Sequence, residues 1–555
     1  MPSWRRTVYI EGRPHRIPLL FSPLLCLLLQ APSPAALPDP ALPGRGQAGL
    51  DVGHYHLELV LQPPSRRLLG KARLRIQAPF PEDGLRLDLH PDLQVESVRW
   101  QNRNHDFSQA RRKLWIPLPD SPEPESTGDL EIRYRGTMAE DESQGEPVGL
   151  LADRRSLVSY LQPDGAHHFF PCNDHPSDKA TYQIDLFLPY DGFGAATGAF
   201  GGLSFLPGSM RWRWQTEKPL ATYLLAVAAG PFQAIARPGK VPILDLAWSE
   251  DADRIRRHYQ VAADMIPFLE SRFGPYPFER YGHVFLNRPI GGLENQTMTV
   301  IGRGAGFGQP EGLMMHELAH QWFGDWVSPK QWRDLWLSEG WATYCEVLWM
   351  QERQGDQAAA QLLREWRNSA LYLGRRHHPW TLANPDPDYL FDFHLVYNKG
   401  ALVLHMLAQF MGSDRFHAAA RHFLQRNAGG NADTASFQSA LEQGSGEDLE
   451  SFFQAWVHAN RLPLLKGEVR QVRRRQGWRT VVRVQQLQAG PAMPLSLPWV
   501  LSGPKGSHSG RTRMNGRQSE WTVDLEFQAK TLQLDPNREL PALFSGKGNG
   551  RFQAR

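Results

Sequence analysis

Residues Met314 to Trp349 read MMHELAHQWFGDWVSPKQWRDLWLSEGWATYCEVLW, and the reading of the whole chain turns on them. The stretch opens with H-E-x-x-H at His316, Glu317 and His320. Side chains four apart share a helix face, so the two imidazoles can reach one metal ion, with Glu317 one position along beside them. A further acid, Glu339, follows His320 after 19 positions (339 − 320 = 19). Between them, Gly324 to Lys330 with Pro329 supplies a turn, and Leu335, Leu337, Ala342 and Val347 form the apolar face of a returning helix. Two His and one Glu leave one position of tetrahedral zinc open, the pattern of a catalytic rather than a closed structural site. One Zn2+ per chain is expected, on His316, His320 and Glu339.

A chain of 555 residues is too long for one core and implies several domains. Its 61 basic and 58 acidic residues give a net charge of +3, too even to point to nucleic acid or a membrane surface. The N-terminus differs: Arg5, Arg6, Arg13 and Arg16 precede the apolar run Ile17 to Leu29 and then small residues, the order of a secretory signal cut after Ala35. Pro18 and Pro23 break the run, which is also shorter than the roughly 20 residues a spanning helix needs. A secreted or periplasmic protein without stable membrane insertion is expected, or a cytoplasmic one if the true start lies further in. Removing the signal takes Cys26 with it, leaving Cys172 and Cys345 for at most one disulfide.

In chain order, 36–238 reads as an all-β domain. Tyr55 to Leu61, Ala72 to Ile76, Leu85 to Leu89, Leu130 to Tyr134, Thr181 to Leu188, Met210 to Gln215 and Thr222 to Ala229 are candidate antiparallel strands, with exposed loops at 122–125 and 140–147. Residues 239–461 read as an α-rich catalytic domain. A long helix spans Asp251 to Phe273, β segments lie near 283–286 and 297–301, and further helices lie at 356–373, 399–411, 414–426 and 448–459. Alternation returns over 462–545, a small β-sandwich, and the Gly-rich 546–555 reads as a disordered tail. The histidines His54, His56, His377 and His378 read as surface or strand residues, and Arg470 to Arg479 as a solvated basic hairpin. Asp334 and Glu346 are candidates to orient the zinc ligands.

Five blocks then resemble one family: YLQPDGAHHFFPCNDHPSDKATY (Tyr160 to Tyr182), GGLEN (Gly291 to Asn295), HELAHQWFGD, WLSEGWATY and VYNKGALVLHML (Val396 to Leu407). The chain is similar, over about residues 50 to 540, to the gluzincin zinc aminopeptidases, the aminopeptidase N and leukotriene hydrolase-like metallopeptidases. The resemblance implies a multidomain α+β protein: an N-terminal β-sandwich-like domain, a thermolysin-like catalytic domain and a small C-terminal β-sandwich. No large C-terminal helical domain of the kind many relatives carry is expected.

It further implies that single residues are hydrolysed from the free N-terminus of peptides by a zinc-activated water. Glu317 would be the general base and Tyr397 the donor that stabilises the oxyanion. The substrate would be bound by Gln162 and by Gly291, Gly292, Leu293, Glu294 and Asn295, with Glu294 on the α-amino group. Thr297 to Ile301 would be the edge strand pairing with the peptide. His167 departs from the Arg that many relatives carry. The same zinc, Glu and Tyr also suit an epoxide hydrolase; a non-catalytic scaffold would have lost one of them. The sequence does not fix the oligomeric state, and a monomer is favoured.

Overall fold

The computed structural model describes residues 38–63, 65–118, 127–153, 155–306, 310–545 and 549–554. The signal-like 1–35 and the loop 122–125 fall outside these ranges. Alternation builds the first region. Asp51–Gln62 buries every second residue from Tyr55 to Leu61 and pairs antiparallel with Arg67–Gln77. On its other side lies Lys179–Leu188, and that pairing is parallel, so the sheet is mixed rather than antiparallel throughout. A parallel pair demands a long crossover, and the intervening chain forms most of a second sheet. Its order is Phe193–Ala196, Val227–Gly230, Leu157–Tyr160, Glu146–Ala152, Glu140–Ser143. Residues 140–147, expected as a loop, are the tip of that sheet. Gln144 and Gly145 both take positive φ (54° and 83°), which suits the right-handed twist of a tight two-residue hairpin.

A five-stranded sheet of order Gln233–Arg237, Ile243–Ala247, Tyr281–Leu286, Thr299–Gly302, Gly292–Leu293 fronts the helices. Thr297 to Ile301 is therefore not the edge: Thr299–Gly302 is flanked on both sides, and the free edge belongs to Gly292–Leu293. The helices are α1 (Ala252–His258), α2 (Ala262–Phe273), α3 (Arg303–Gly306), α4 (Glu311–Ala319), α5 (Trp336–Gln354), α6 (Asp356–Arg375), α7 (Gly400–Met411), α8 (Ser413–Arg426), α9 (Thr434–Ser445) and α10 (Glu450–Trp456). The helix expected over 251–273 divides at a tight turn, Tyr259–Val261, which buries Tyr259 against His283 and Phe285. Pattern reading missed α9, whose start is marked by a capping box between Asp433 and Ser436.

Beyond α10, two four-stranded sheets face each other: Gln518–Leu525, Trp478–Gln486, Leu464–Arg473, Leu543–Phe544, and Gly506–Met514, Leu495–Gly503, Thr531–Leu534, Arg551–Gln553. The last strand corrects the expectation of a disordered tail where the tail is described, over 549–554. Phe552 packs against the core, so Arg551–Gln553 pairs with Thr531–Leu534. The helices and these sheets share one apolar cluster, from Ile235 to Ala542. The N-terminal sheets form another, which reaches under the cleft through Leu293, Trp332 and Leu335. Cys172 and Cys345 are both buried and unpaired. Among the described residues no helix is long and apolar enough to cross a membrane.

Candidate functional site

The H-E-x-x-H run occupies the last turn of α4, and His320 N still bonds His316 O (3.3 Å), so both imidazoles leave the same face. The chain then turns back through Gly324. Its φ is +128° and an added Cβ would lie 2.4 Å from Ser338 Oγ, so only glycine fits. The turn delivers α5 with Glu339 in its first turn. Glu339 Oε2 lies 3.2 Å from His316 Nε2 and 3.4 Å from His320 Nε2. The far nitrogen of each imidazole is also held, His316 Nδ1 by Glu346 (2.8 Å) and His320 Nδ1 by Ser338 Oγ (3.0 Å) and Phe323 O (3.1 Å). Asp334, the other candidate orienting group, instead accepts from Thr434 N (3.0 Å) at the start of α9.

One ligand atom from each of His316, His320 and Glu339 lies within 4.8 Å of the others. Burial alone would raise the Glu339 carboxyl, but the two histidines beside it hold it down to about 2. Two imidazoles with fixed rings and an ionised carboxylate, buried and convergent, are the donor set zinc takes. Beside them Glu317 is 4% exposed, and its Oε2 has no hydrogen-bond partner among the described residues. Desolvation pushes this carboxyl up to about 8. An orphaned buried carboxylate oxygen next to a cation site is what a proton-transfer group requires before its partner arrives.

The opposite wall is the edge strand. Gly292 backs directly onto Glu317: a Cβ there would lie 2.1 Å from Glu317 Oε1. Tyr160 donates its hydroxyl to Gly292 O (3.1 Å), and Glu294 accepts from the Gln162 side-chain amide (2.6 Å). Strand alternation corrects two expected binding residues. Gly292 and Glu294 face the cavity, whereas Leu293 points into the N-terminal core and Asn295 turns its amide to Leu225 O (3.3 Å). Gln321, which the motif reading passed over, ties the two walls. Its Nε2 donates to Glu294 O (3.2 Å) and Asp325 Oδ2 (2.7 Å), while its Oε1 accepts from Thr297 N (2.9 Å) and Tyr276 Oη (3.0 Å).

Tyr397 arrives on a π-helical turn, Phe393–Lys399, capped by Asp392, whose carboxylate accepts from His394 N (2.9 Å) and Leu395 N (3.2 Å). Its ring stacks 6.1 Å from His316. Burial, with Glu339 and Glu294 nearby, raises the phenol and keeps it a hydrogen-bond donor at neutral pH. His167 lies outside the cavity, bonded to Asp174 (2.9 Å), and Arg112 brings a guanidinium to 3.1 Å of its other nitrogen.

Gln162, Gly291, Gly292, Glu294, His316, Glu317, His320, Glu339 and Tyr397 line one cavity of about 430 Å³. Among the described residues lining it there is neither Lys nor Arg, while Glu146, Glu346 and Glu365 add to its acidity.

Residues 257–456 match the model of the peptidase family M1 domain, and residues 52–224 that of the peptidase M1 N-terminal domain. The chain belongs to the M1 peptidase family. Among curated M1-like relatives, aminopeptidase N of Streptomyces lividans is 26% identical over 350 residues, covering 58% of this chain and 40% of that protein. The tricorn protease-interacting factor F2 of Thermoplasma volcanium is 29% identical over 338 residues, covering 56% of this chain and 42% of its own length. The chain thus spans about two fifths of the length of the curated relatives it matches. The crystal structure of an M1 zinc metallopeptidase from Deinococcus radiodurans with a Tyr-Ser-Ala substrate superposes with a TM-score of 0.69 at 29% identity, covering 77% of this chain and 98% of that one.

Proposed function

We propose that the chain is a zinc aminopeptidase that removes single residues from the free N-terminus of peptides. The observation that carries this reading is the buried Glu294–Gln162 pair (2.6 Å) in the same cavity as His316, His320 and Glu339. A carboxylate there without a Lys or Arg partner is a seat for a substrate ammonium, and its distance from the ligand set fixes the register of cleavage. Aminopeptidase N of Streptomyces lividans and the peptide-bound Deinococcus structure support it by similarity.

Zinc bound by His316, His320 and Glu339 would supply Lewis acidity and bring the pKa of a water to about 7. Glu317, through its free Oε2, takes the proton of the attacking water and passes it to the leaving amine. The Tyr397 hydroxyl donates to the carbonyl oxygen as it gains charge, a contribution of about 10²–10³ in kcat for one such donor. Glu294 and Gln162 hold the α-ammonium, and Gly291 and Gly292 offer edge-strand backbone to the peptide. We further infer export from the order of charges and apolar residues in 1–35.

Two fluorogenic panels test this reading, free aminoacyl amides and the same residues acetylated. Turnover of the free set only, abolished by chelation and weakened in Glu294→Ala, supports it. Equal cleavage of the acetylated set points to an endopeptidase, and no turnover of either with zinc bound points to another hydrolysis.

A further inference from the structure

Of the carboxylates lining the cavity, Glu294 is met by Gln162, Glu346 by His316, and Glu365 stands exposed on α6. Glu146 differs. It is half-buried and opens the strand Glu146–Ala152, where its backbone pairs with Ser143, but its carboxylate makes no ion pair or hydrogen bond among the described residues. Two effects raise its carboxyl, burial first and then the neighbouring Glu142. Among the described residues no cation or hydrogen-bond donor offsets them.

Its position relative to the ammonium seat is fixed by three contacts. The strand register sets Gly149 opposite Tyr160, two residues before Gln162. Tyr160 in turn donates to Gly292 O (3.1 Å), two residues before Glu294. The hairpin tip is clasped to the segment ahead of Phe391, because Gln144 donates to Pro387 O (3.1 Å) and accepts from Leu390 N (3.2 Å). Glu146, Tyr160 and Phe391 therefore line the same cavity as Gln162 and Glu294, with the Glu146 charge near enough to act on the Tyr160 phenol, a wall of two rings and a carboxylate. A side chain with an apolar stem and a cationic head fits such a wall: the stem lies on the rings and the head meets the carboxylate.

Resting on the aminopeptidase reading, we propose that Glu146 is a specificity-determining residue that selects arginine or lysine as the first residue of the peptide. The ammonium occupies Glu294 and Gln162, the stem lies along Tyr160 and Phe391, and the guanidinium or amine pairs with Glu146.

The test uses the full chain with zinc and aminoacyl coumarin amides of Arg, its neutral isostere citrulline, norleucine and Ala. Wild type is expected to favour Arg over citrulline by about tenfold in kcat/KM, the worth of one half-buried charge pair. In Glu146→Gln that ratio should fall to about 1–2 while norleucine and Ala keep their wild-type kcat/KM within about threefold, which also certifies the fold. Glu146→Asp, with the charge set back, should retain part of the ratio. An Arg-to-citrulline ratio that is the same in Glu146→Gln as in wild type overturns the proposal and leaves the aminopeptidase standing. Failure of wild type to turn over any of the four amides overturns both.

Discussion

The two walls of the cleft are built on opposite terms. On the helical wall every placing contact is made. His316 and His320 are each fixed by the nitrogen that faces away from the cavity, Gln321 uses both ends of its amide, and of the acidic groups there Glu317 keeps Oε2 free of any partner among the described residues, as Thr343 does its hydroxyl. On the hairpin wall the Glu146 carboxylate stands without a partner among the described residues. The difference tracks the work each wall does. Bond making needs groups held to fractions of an ångström before substrate arrives, whereas recognition of a side chain needs groups left unsatisfied until it arrives. Mutations in the first wall should therefore slow turnover of every substrate alike, and mutations in the second should change the ranking of substrates.

The largest effect belongs to Glu317→Gln, which keeps the shape and removes the proposed base. kcat/KM should drop by about 10³ or more for all free aminoacyl amides, with bound zinc and Tm unchanged. A residual rate within tenfold of wild type would move the base elsewhere. Next comes Gly292→Ala, which drives a methyl into Glu317 Oε1 from the opposite wall. Displacing that carboxylate should cost about 10–100-fold in kcat, at the scale of 1–3 kcal/mol for overpacking. Equal kcat in the alanine variant would mean that the strand gives way instead. Gln321→Met is a step smaller in chemistry and larger in stability. It leaves Thr297 N without its acceptor and Asp325 Oδ2 without its donor, so Tm should fall. KM for free amines should rise more than kcat falls, because Glu294 loses the hydrogen bond that fixes its backbone. A kcat loss at constant KM would detach Gln321 from the ammonium seat.

How much of this contrast could be read from the sequence follows from the same physics. His316, His320 and Glu339 were legible because a metal dictates spacing, and spacing on helices is one-dimensional information. The strand-rich N-terminal region was legible for the similar reason that Asp51–Gln62 writes its burial as a period of two. Glu294 and Gln162 were named only through resemblance, since they are 132 residues apart and meet through two different sheets. The sided nature of the edge strand was not legible: GGLEN names five residues, but alternation sends Leu293 and Asn295 away from the cavity. Glu146 lay in a stretch read as a loop, because Pro147 and Gly145 mask a hairpin whose two-residue turn is Gln-Gly rather than Asn-Gly. Gln321 sat one position from His320 and was invisible because its four partners come from two other segments and a neighbouring turn.

The smallest expected effect sharpens the comparison most, because it reads the hairpin wall with no substrate present. Burial and Glu142 raise the Glu146 carboxyl above its ordinary 4.5, so the folded protein binds this proton more tightly than the unfolded chain does. The sign follows: the contribution to stability is fully present below pH 4.5 and is lost as pH rises through the folded value, leaving the ionised group a net cost at pH 7. Glu146→Gln should therefore raise Tm slightly at pH 7, and the gain should vanish as pH falls below 4.5. On the helical wall no such trade is expected, because Gln321→Met lowers Tm at either pH. A Tm for Glu146→Gln below wild type at pH 7 would reveal a partner that stabilises the carboxylate. A gain confined to neutral pH would show a charge kept against the interest of the fold, as binding sites keep theirs.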